Sequence, residues 1–128
     1  RCAQWADGVY AFSMNGEREE MQRLLSLADD AWSNAGREKP PYKLGGCWYT
    51  LAPENAQQKM TDYVYSYLKI MGDDIAKMVA DSMTRFTPDG VNQALDIMED
   101  LGCEEVFMVP ATAEIAEVDG LAELLAKR

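Results

Sequence analysis

Short, uninterrupted apolar runs recur along the chain, separated by longer segments with a different spacing. The runs cover residues 9–12, 44–51 and 105–110. Continuous apolar character is typical of strands that are covered on both faces, as in parallel sheets. Because only a long connection returns a chain to the same edge of a sheet, the pattern predicts three parallel strands joined by right-handed crossovers.

Between these runs, apolar residues recur at helical spacing. The segment from Asn15 to Gly36 predicts an amphipathic helix, with Gly36 as its stop. Thr87 and Pro88 are typical of a helix start, and Gly102 of a helix end. The other apolar positions expected on buried helix faces are Ala56, Met60, Val64, Leu68, Met71, Ile75, Met78, Val79, Met83, Val118, Leu121, Leu124 and Leu125. The sequence therefore predicts an α/β fold.

Chain length and charge limit the class of protein. With 128 residues there is room for one core, which predicts a single domain over residues 1–128. The 12 basic and 22 acidic residues give a formal charge of -10, which argues against nucleic acid and anionic membrane surfaces as partners. No segment approaches the roughly 20 apolar residues of a membrane helix. We expect a soluble protein.

Cysteine and histidine usage narrows the chemistry. Cys2, Cys47 and Cys103 are widely spaced and odd in number, which favours neither a disulfide framework nor a metal site. A reducing cytoplasm fits this pattern best. Histidine is absent, so the commonest general base and metal ligand are missing. The sequence predicts no catalytic residue and no metal site; any catalysis would depend on a cofactor or on residues outside these 128.

Gly45 and Gly46 raise the possibility of a phosphate-binding loop. They lie at the start of a predicted strand, however, and not between a strand and a helix N-terminus, where backbone amides could hold a phosphate. Close packing of the strand against a neighbour is the favoured interpretation. Gly8, after Cys2 to Asp7, is expected to be a left-handed helix cap.

An ordered set of short motifs resembles one enzyme family. In chain order they are Trp5-Ala6-Asp7-Gly8, Ala31-Trp32-Ser33-Asn34-Ala35-Gly36-Arg37, a glycine-rich strand, Thr87-Pro88-Asp89-Gly90-Val91, and Leu101-Gly102-Cys103-Glu104-Glu105-Val106-Phe107-Met108-Val109-Pro110. The chain resembles the C-terminal portion of luciferase-like, flavin-dependent oxidoreductases and monooxygenases. Each motif alone has low specificity, and Val9 departs from the tryptophan that the family often has after Ala-Asp-Gly.

The resemblance implies the C-terminal part of a (β/α)₈ barrel that binds FMN or a deazaflavin at its C-terminal mouth. It places Phe12 and Ser13 where the family has an aromatic near the flavin ring, so both are candidate cofactor-binding residues. The family's phosphate-binding loop lies upstream of the matched region. The chain begins with Arg1, and we expect a preceding segment, without which these residues alone would be inactive.

Barrel geometry suggests further positions at the mouth. Thr50 and Leu51 follow the second predicted strand, and Ala111 and Thr112 follow the third. Thr50 and Thr112 are the candidate substrate-binding residues, for an unidentified small molecule. Helix capping is the more frequent role for a hydroxyl such as that of Thr112 or Ser13.

Two alternatives remain. The chain could be a stand-alone, non-catalytic module that covers its open sheet edges by pairing with a second copy or another chain, such as the rest of a barrel. It could also be a small doubly wound domain resembling a response regulator. That alternative ranks last, because Asp7 and Gly8 precede a strand and do not follow one.

Overall fold

The computed structural model describes residues 1–128 and has an α/β fold. The strands are β1 (Gly8–Phe12), β2 (Tyr42–Tyr49) and β3 (Glu105–Pro110). The helices are α1 (Arg18–Asn34), α2 (Ala56–Leu68), α3 (Asp73–Asp81), α4 (Pro88–Asp100) and α5 (Ile115–Leu125). Short 3₁₀ turns cover Cys2–Gln4 and Lys69–Met71. No helix combines the length and the apolar character needed to cross a membrane.

The three strands form one open, parallel sheet in the order β1-β2-β3. Gly8 pairs with Tyr42 and Phe12 with Gly46, which fixes the register of the first two strands. The order in the sheet is the order in the chain, so each helical connection moves to the next position without reversing. The prediction of three parallel strands with helical crossovers is confirmed.

The chain divides into two compact units, each built from two separate segments. The first contains Arg1–Cys47 and Ala94–Met108, and the second contains Trp48–Gln93 and Val109–Arg128. The boundary passes through β2, α4 and β3. The two units therefore cannot be separated by cutting the chain at a single position.

Helices α1 and α4 cover one face of the sheet in the first unit. Met21 and Leu25 of α1 and Met98 of α4 pack with Ala11 of β1 and Cys47 of β2, and all five are buried. Burying each large side chain stabilises the fold by roughly 1.5–3 kcal/mol. The amphipathic helix predicted between Asn15 and Gly36 is therefore confirmed, and its buried apolar residues fix α1 to this face.

The opposite face of the sheet is uncovered in the first unit. Tyr10, Phe12 and Phe107 lie on it; the Tyr10 ring centroid is 6.0 Å from that of Phe12 and 5.8 Å from that of Phe107. About half of the Tyr10 and Phe107 side chains is exposed, at 47% and 49%. We call these three residues the open face. The expectation that the apolar runs would be covered on both faces is wrong here, because α1 and α4 lie on the same side.

Gly46 allows the Tyr10 ring and the backbone of β3 to pack closely against β2 at the open face. A Cβ at Gly46 would contact the Tyr10 hydroxyl and would lie 2.6 Å from the carbonyl oxygen of Phe107. A side chain there would clash with the neighbouring strand. The interpretation of this glycine as a close-packing residue is confirmed.

In the second unit, α2 and α3 pack against each other. The Trp48 ring is held edge-on by Tyr63 and Tyr67 of α2, with centroid distances of 5.4 and 5.1 Å. Ala76 and Ala80 are the buried residues of α3, whereas Ile75 and Met78 are exposed. The sequence assigned both large residues to the buried stripe, and that assignment is wrong because the small alanines face the interior.

Two of the predicted glycine stops are confirmed, and one glycine has another role. Gly36 and Gly102 have φ of 70° and 75°, the left-handed conformation that ends α1 and α4. Gly8 does not cap a helix and is the first residue of β1. A Cβ at Gly8 would lie 2.5 Å from the carbonyl oxygen of Tyr42, so this glycine permits strand pairing.

Candidate functional site

A buried carboxylate, that of Glu117, lies in the first turn of α5 in the second unit. Its side chain is completely inaccessible to solvent, whereas the neighbouring Ile115 and Val118 are 78% and 61% exposed. Helix α5 therefore turns its acidic residue inward and leaves apolar residues outside. The sequence placed Val118 and Leu125 on a buried stripe, and this was wrong because the inward position belongs to Glu117.

Three donors satisfy the Glu117 carboxylate. The Thr50 hydroxyl donates to Oε1 at 2.6 Å, and the Thr112 hydroxyl donates to the same oxygen at 2.9 Å. The backbone N–H of Leu51 donates to Oε2 at 2.6 Å. A buried charge is tolerated only when such bonds replace its hydration. The carboxylate thus joins the chain that follows β2 to the chain that follows β3.

Tyr49 adds a further bond to the same helix. Its hydroxyl donates to the backbone oxygen of Glu117 at 3.1 Å, and the side chain is almost fully buried. Burial raises the pKa of the Tyr49 phenol above its usual value, and the negative charge of Glu117 raises that pKa further. The phenol is held in its neutral, donating form.

The side chain of the buried Arg85 is bonded to two residues of α4. The Arg85 guanidinium donates to Gln93 Oε1 at 2.6 Å and to the carbonyl oxygen of Gly90 at 3.1 Å. The carbonyl oxygen of Arg85 accepts the N–H of Thr50 at 3.0 Å. Thr50 is therefore fixed through its backbone as well as through its hydroxyl.

The structure brings the two predicted substrate-binding threonines together, on one carboxylate oxygen. Both hydroxyl protons are directed to Glu117, and each hydroxyl oxygen also accepts a nearby backbone N–H: that of Ala52 for Thr50, and that of Glu114 for Thr112, both at 3.3 Å. Their observed bonds are therefore internal. Binding of a substrate by these residues stays a prediction.

The predicted cofactor residues Phe12 and Ser13 lie in the first unit. Phe12 belongs to the open face, where its ring packs against Tyr10. Ser13 is fully buried; its hydroxyl donates to Glu20 Oε2 at 2.7 Å and accepts the N–H of Glu17 at 3.1 Å. The serine hydroxyl thus ties the chain that precedes α1 to Glu20 in the first turn of the helix.

These residues do not make a complete flavin site. The donor capacity of the Ser13 hydroxyl is directed to a carboxylate, and Glu17 and Glu20 beside it would repel a flavin phosphate. Only the ring of Phe12 offers a surface that suits a flavin ring. No group of three or more His, Cys, Asp or Glu side chains is placed to hold a metal.

A cleft of about 390 Å³ lies beside the Glu117 network in the second unit. Its lining residues are Leu51, Ala52, Phe86, Pro88, Gly120, Glu123, Leu124 and Lys127. Leu51 belongs to both features, since its backbone N–H donates to Glu117. The cleft has the volume of a small-molecule pocket, with mainly apolar walls and two charged residues of opposite sign.

Sequence reasoning identified Thr50 and Thr112 but missed the carboxylate that joins them. One signal was present: Glu117 interrupts an apolar stretch, between Ile115 and Val118, shortly after a threonine at a strand end. An acidic residue at such a position is usually solvent-facing in the first turn of a helix. Only the packing of α5 shows that it is buried.

No family model matches the chain, and comparisons with the curated proteins and with the solved structures gave no match. The structure shows the class of protein: an α/β protein with an open, three-stranded parallel sheet.

Proposed function

We propose that residues 1–128 are the C-terminal portion of a luciferase-like, flavin- or deazaflavin-dependent oxidoreductase built on a (β/α)₈ barrel. The observation that carries this proposal is the winding of the sheet. The strand order follows the chain order, and residues of α1 and α4 pack on the same sheet face. Barrels keep this winding throughout, whereas a doubly wound sheet keeps it only within each half and then reverses, so that its helices lie on both faces.

The open face supports the same proposal. The inward positions of a barrel are filled by large apolar side chains from successive strands. Tyr10, Phe12 and Phe107 are large, aromatic, and on the face away from the helices. In a closed barrel, further strands would bury them.

Within such an enzyme, this chain supplies structure and not a reacting group. Bound reduced flavin or deazaflavin would supply the redox chemistry. The Glu117 network fixes the chain that follows β2 and β3, at the carboxyl ends of the strands where barrel active sites lie. The flavin phosphate would be bound by residues outside the 128. We therefore expect this chain alone to be inactive.

The first test is the intact mass of the natural polypeptide, followed by titration of FMN and of a deazaflavin with fluorescence detection. The proposal expects a mass well above the 14.3 kDa of residues 1–128 and binding of one cofactor by the longer polypeptide only. In that polypeptide Phe12→Ala should weaken binding at least several-fold. The matched control Leu27→Ala, at a 55% exposed position of α1, should leave it unchanged. A natural mass of 14.3 kDa would exclude the barrel, since such barrels need about 250 residues.

The alternative function is a stand-alone module that pairs with another chain through its sheet. The uncovered aromatic residues and the two edge strands, β1 and β3, favour it. Light scattering on the purified 128-residue chain would show association that Tyr10→Glu abolishes. A stable, non-aggregating monomer would count against this alternative.

A further inference from the structure

A cleft of about 430 Å³ lies in the first unit, between the end of α1 and the connection that leads to β2. Its polar lining residues are Asp29, Trp32, Ser33, Arg37, Lys39 and Lys43. Lys43 is the second residue of β2, so the cleft lies at the amino end of this strand. Barrel active sites lie at the carboxyl ends of the strands. The cleft is therefore separate from the active site of the proposed enzyme.

One lining residue carries a buried hydrogen-bond donor that the chain leaves without an acceptor. The indole nitrogen of Trp32 is the only buried side-chain nitrogen or oxygen atom without a hydrogen-bond partner, and the residue is 3% exposed. The buried residues packed with Trp32 are Ala3 and Ala28, whose side chains offer no acceptor. Buried donors in native proteins are nearly always bonded. An acceptor that the chain does not supply would satisfy this one.

Other donors of the cleft are also available. The Lys39 ammonium forms no ion pair, and the Ser33 hydroxyl forms no hydrogen bond within the protein. Lys43 Nζ donates to Asp29 Oδ2 at 2.9 Å, which leaves two of its three N–H groups. These groups belong to both sides of the cleft, the end of α1 and the start of β2. A ligand with several acceptor oxygens matches them.

The charges on the cleft walls favour an anion. Three lining residues are basic, and Asp29 is the only acidic one. The acidic residues that adjoin lining residues in the chain or bond to them are Asp7, Asp30, Glu38 and Glu104, and none of the four lines the cleft. Asp7 pairs with Arg37 at 3.5 Å, and Glu104 Oε1 accepts the backbone N–H of Lys43 at 3.3 Å. Asp30 and Glu38 are exposed, so water and salt screen their charges.

The end of α1 explains the basic residues only in part. Cations near the C-terminus of a helix complement its dipole, and this accounts for Arg37 and Lys39 a few residues beyond α1. It does not account for the indole N–H of Trp32, which a dipole effect leaves unbonded. An acceptor bound in the cleft accounts for both observations.

We propose that this cleft binds the phosphate group of a small phosphorylated molecule. A phosphate monoester has about 1.5 to 2 negative charges at neutral pH and three acceptor oxygens. Lys39 and Lys43 neutralise the charge, and Trp32 and Ser33 donate to the oxygens. A carboxylate, with one charge and two oxygens, would leave part of this set unused. The volume leaves room for an organic group beside the phosphate, and the site does not depend on the proposed enzyme activity.

Calorimetric titration of the natural polypeptide with glycerol 3-phosphate tests the proposal, with glycerol as the phosphate-free control. Lys39→Ala should raise the dissociation constant roughly tenfold, the equivalent of one hydrogen bond to a charged group. Asp29→Asn removes the acidic lining group and should lower the constant several-fold. Lys77→Ala, at an exposed lysine of α3, is the matched control and should leave it unchanged. Circular dichroism of each variant checks that it remains folded.

The indole N–H resonance of Trp32 tests the assignment of the donor. In proton–nitrogen correlation spectra this resonance, assigned with Trp32→Phe, should move downfield as glycerol 3-phosphate saturates the protein, whereas that of Trp48 in the second unit should not move. Trp32→Phe keeps an aromatic ring and removes the N–H, so it should raise the dissociation constant several-fold.

Three results would overturn the proposal: no saturable binding of glycerol 3-phosphate, binding that Lys39→Ala leaves unchanged, or a Trp32 resonance that stays in place. Inorganic phosphate is the remaining probe and should bind more weakly than glycerol 3-phosphate, because it lacks the organic group. Equal or tighter binding of inorganic phosphate would refute a site for a phosphorylated molecule and assign the cleft to the free ion.

Discussion

Removing the Glu117 side chain should destabilise the protein far more than removing any exposed carboxylate. The carboxylate accepts three hydrogen bonds, from Thr50, Leu51 and Thr112, at 2.6, 2.6 and 2.9 Å. Glu117→Ala leaves these three donors without their acceptor. Thr50 is fully buried, so water cannot easily replace the lost bond.

The magnitude follows from the bonds lost and the charge removed. A hydrogen bond to a charged group contributes about 1.5–3 kcal/mol. The variant also avoids the desolvation cost of burying a carboxylate, which offsets part of the loss. We expect Glu117→Ala to lower the free energy of unfolding by roughly 3–5 kcal/mol. Glu117→Gln keeps an acceptor for the two threonines but directs an amide group at the N–H of Leu51, so its cost should be roughly 1–3 kcal/mol.

Urea unfolding at neutral pH, followed by circular dichroism, measures both variants. Glu123→Ala is the matched control, because Glu123 lies on the same helix and is exposed. Its free energy of unfolding should stay within about 0.5 kcal/mol of the parent value. If Glu117→Ala is no more destabilising than Glu123→Ala, the network does not fix α5, and the reasoning is refuted.

Two further predictions concern Tyr49 and Gly46. The folded protein raises the pKa of Tyr49, so this residue contributes stability below its ordinary pKa of 10.0 that is lost as the pH rises above that value. Tyr49→Phe removes the hydrogen bond to Glu117 and should lower the free energy of unfolding by about 1 kcal/mol at neutral pH. Above pH 10, the free energy of unfolding of the variant, measured by urea unfolding, should fall less steeply with pH than that of the parent protein. An unchanged slope would contradict this assignment. Gly46→Ala should cost roughly 1–3 kcal/mol in the same assay, because its Cβ would meet the backbone of Phe107. Gly45→Ala, whose Cβ would meet flexible side chains at 3.0–3.1 Å, should cost less, and equal costs would contradict the packing argument.

The sheet and its connections could be read from sequence because their signals are local. Continuous apolar runs separated by helical spacing allow little except parallel strands with helical crossovers, and the structure has that arrangement. Gly36 and Gly102 stop their helices as expected, since few residues other than glycine adopt positive φ without strain. The role of Gly8 was misjudged, because strand pairing and helix capping both select glycine.

The candidate site could be predicted only in part. The ends of parallel strands meet at one edge of a sheet, which was enough to select Thr50 and Thr112. Their partner Glu117 was missed because helical periodicity identifies faces by hydrophobicity. In α5 the partly buried Leu121 and Leu124 share the face of Glu117, but Val118 is exposed and the acidic residue is buried, so apolar spacing alone did not identify Glu117 as an inward residue.

The amino-acid sequence by itself determined the fold class, the number and direction of the strands, and the positions where two helices stop. These features follow from backbone preferences and from apolar spacing, both of which act over a few residues. Only the tertiary structure decided which surfaces are covered: that one sheet face stays open, that Glu117 is buried among hydroxyls, and that Ile75 and Met78 of α3 face solvent. Burial depends on which distant segments meet, and that is a property of the whole chain.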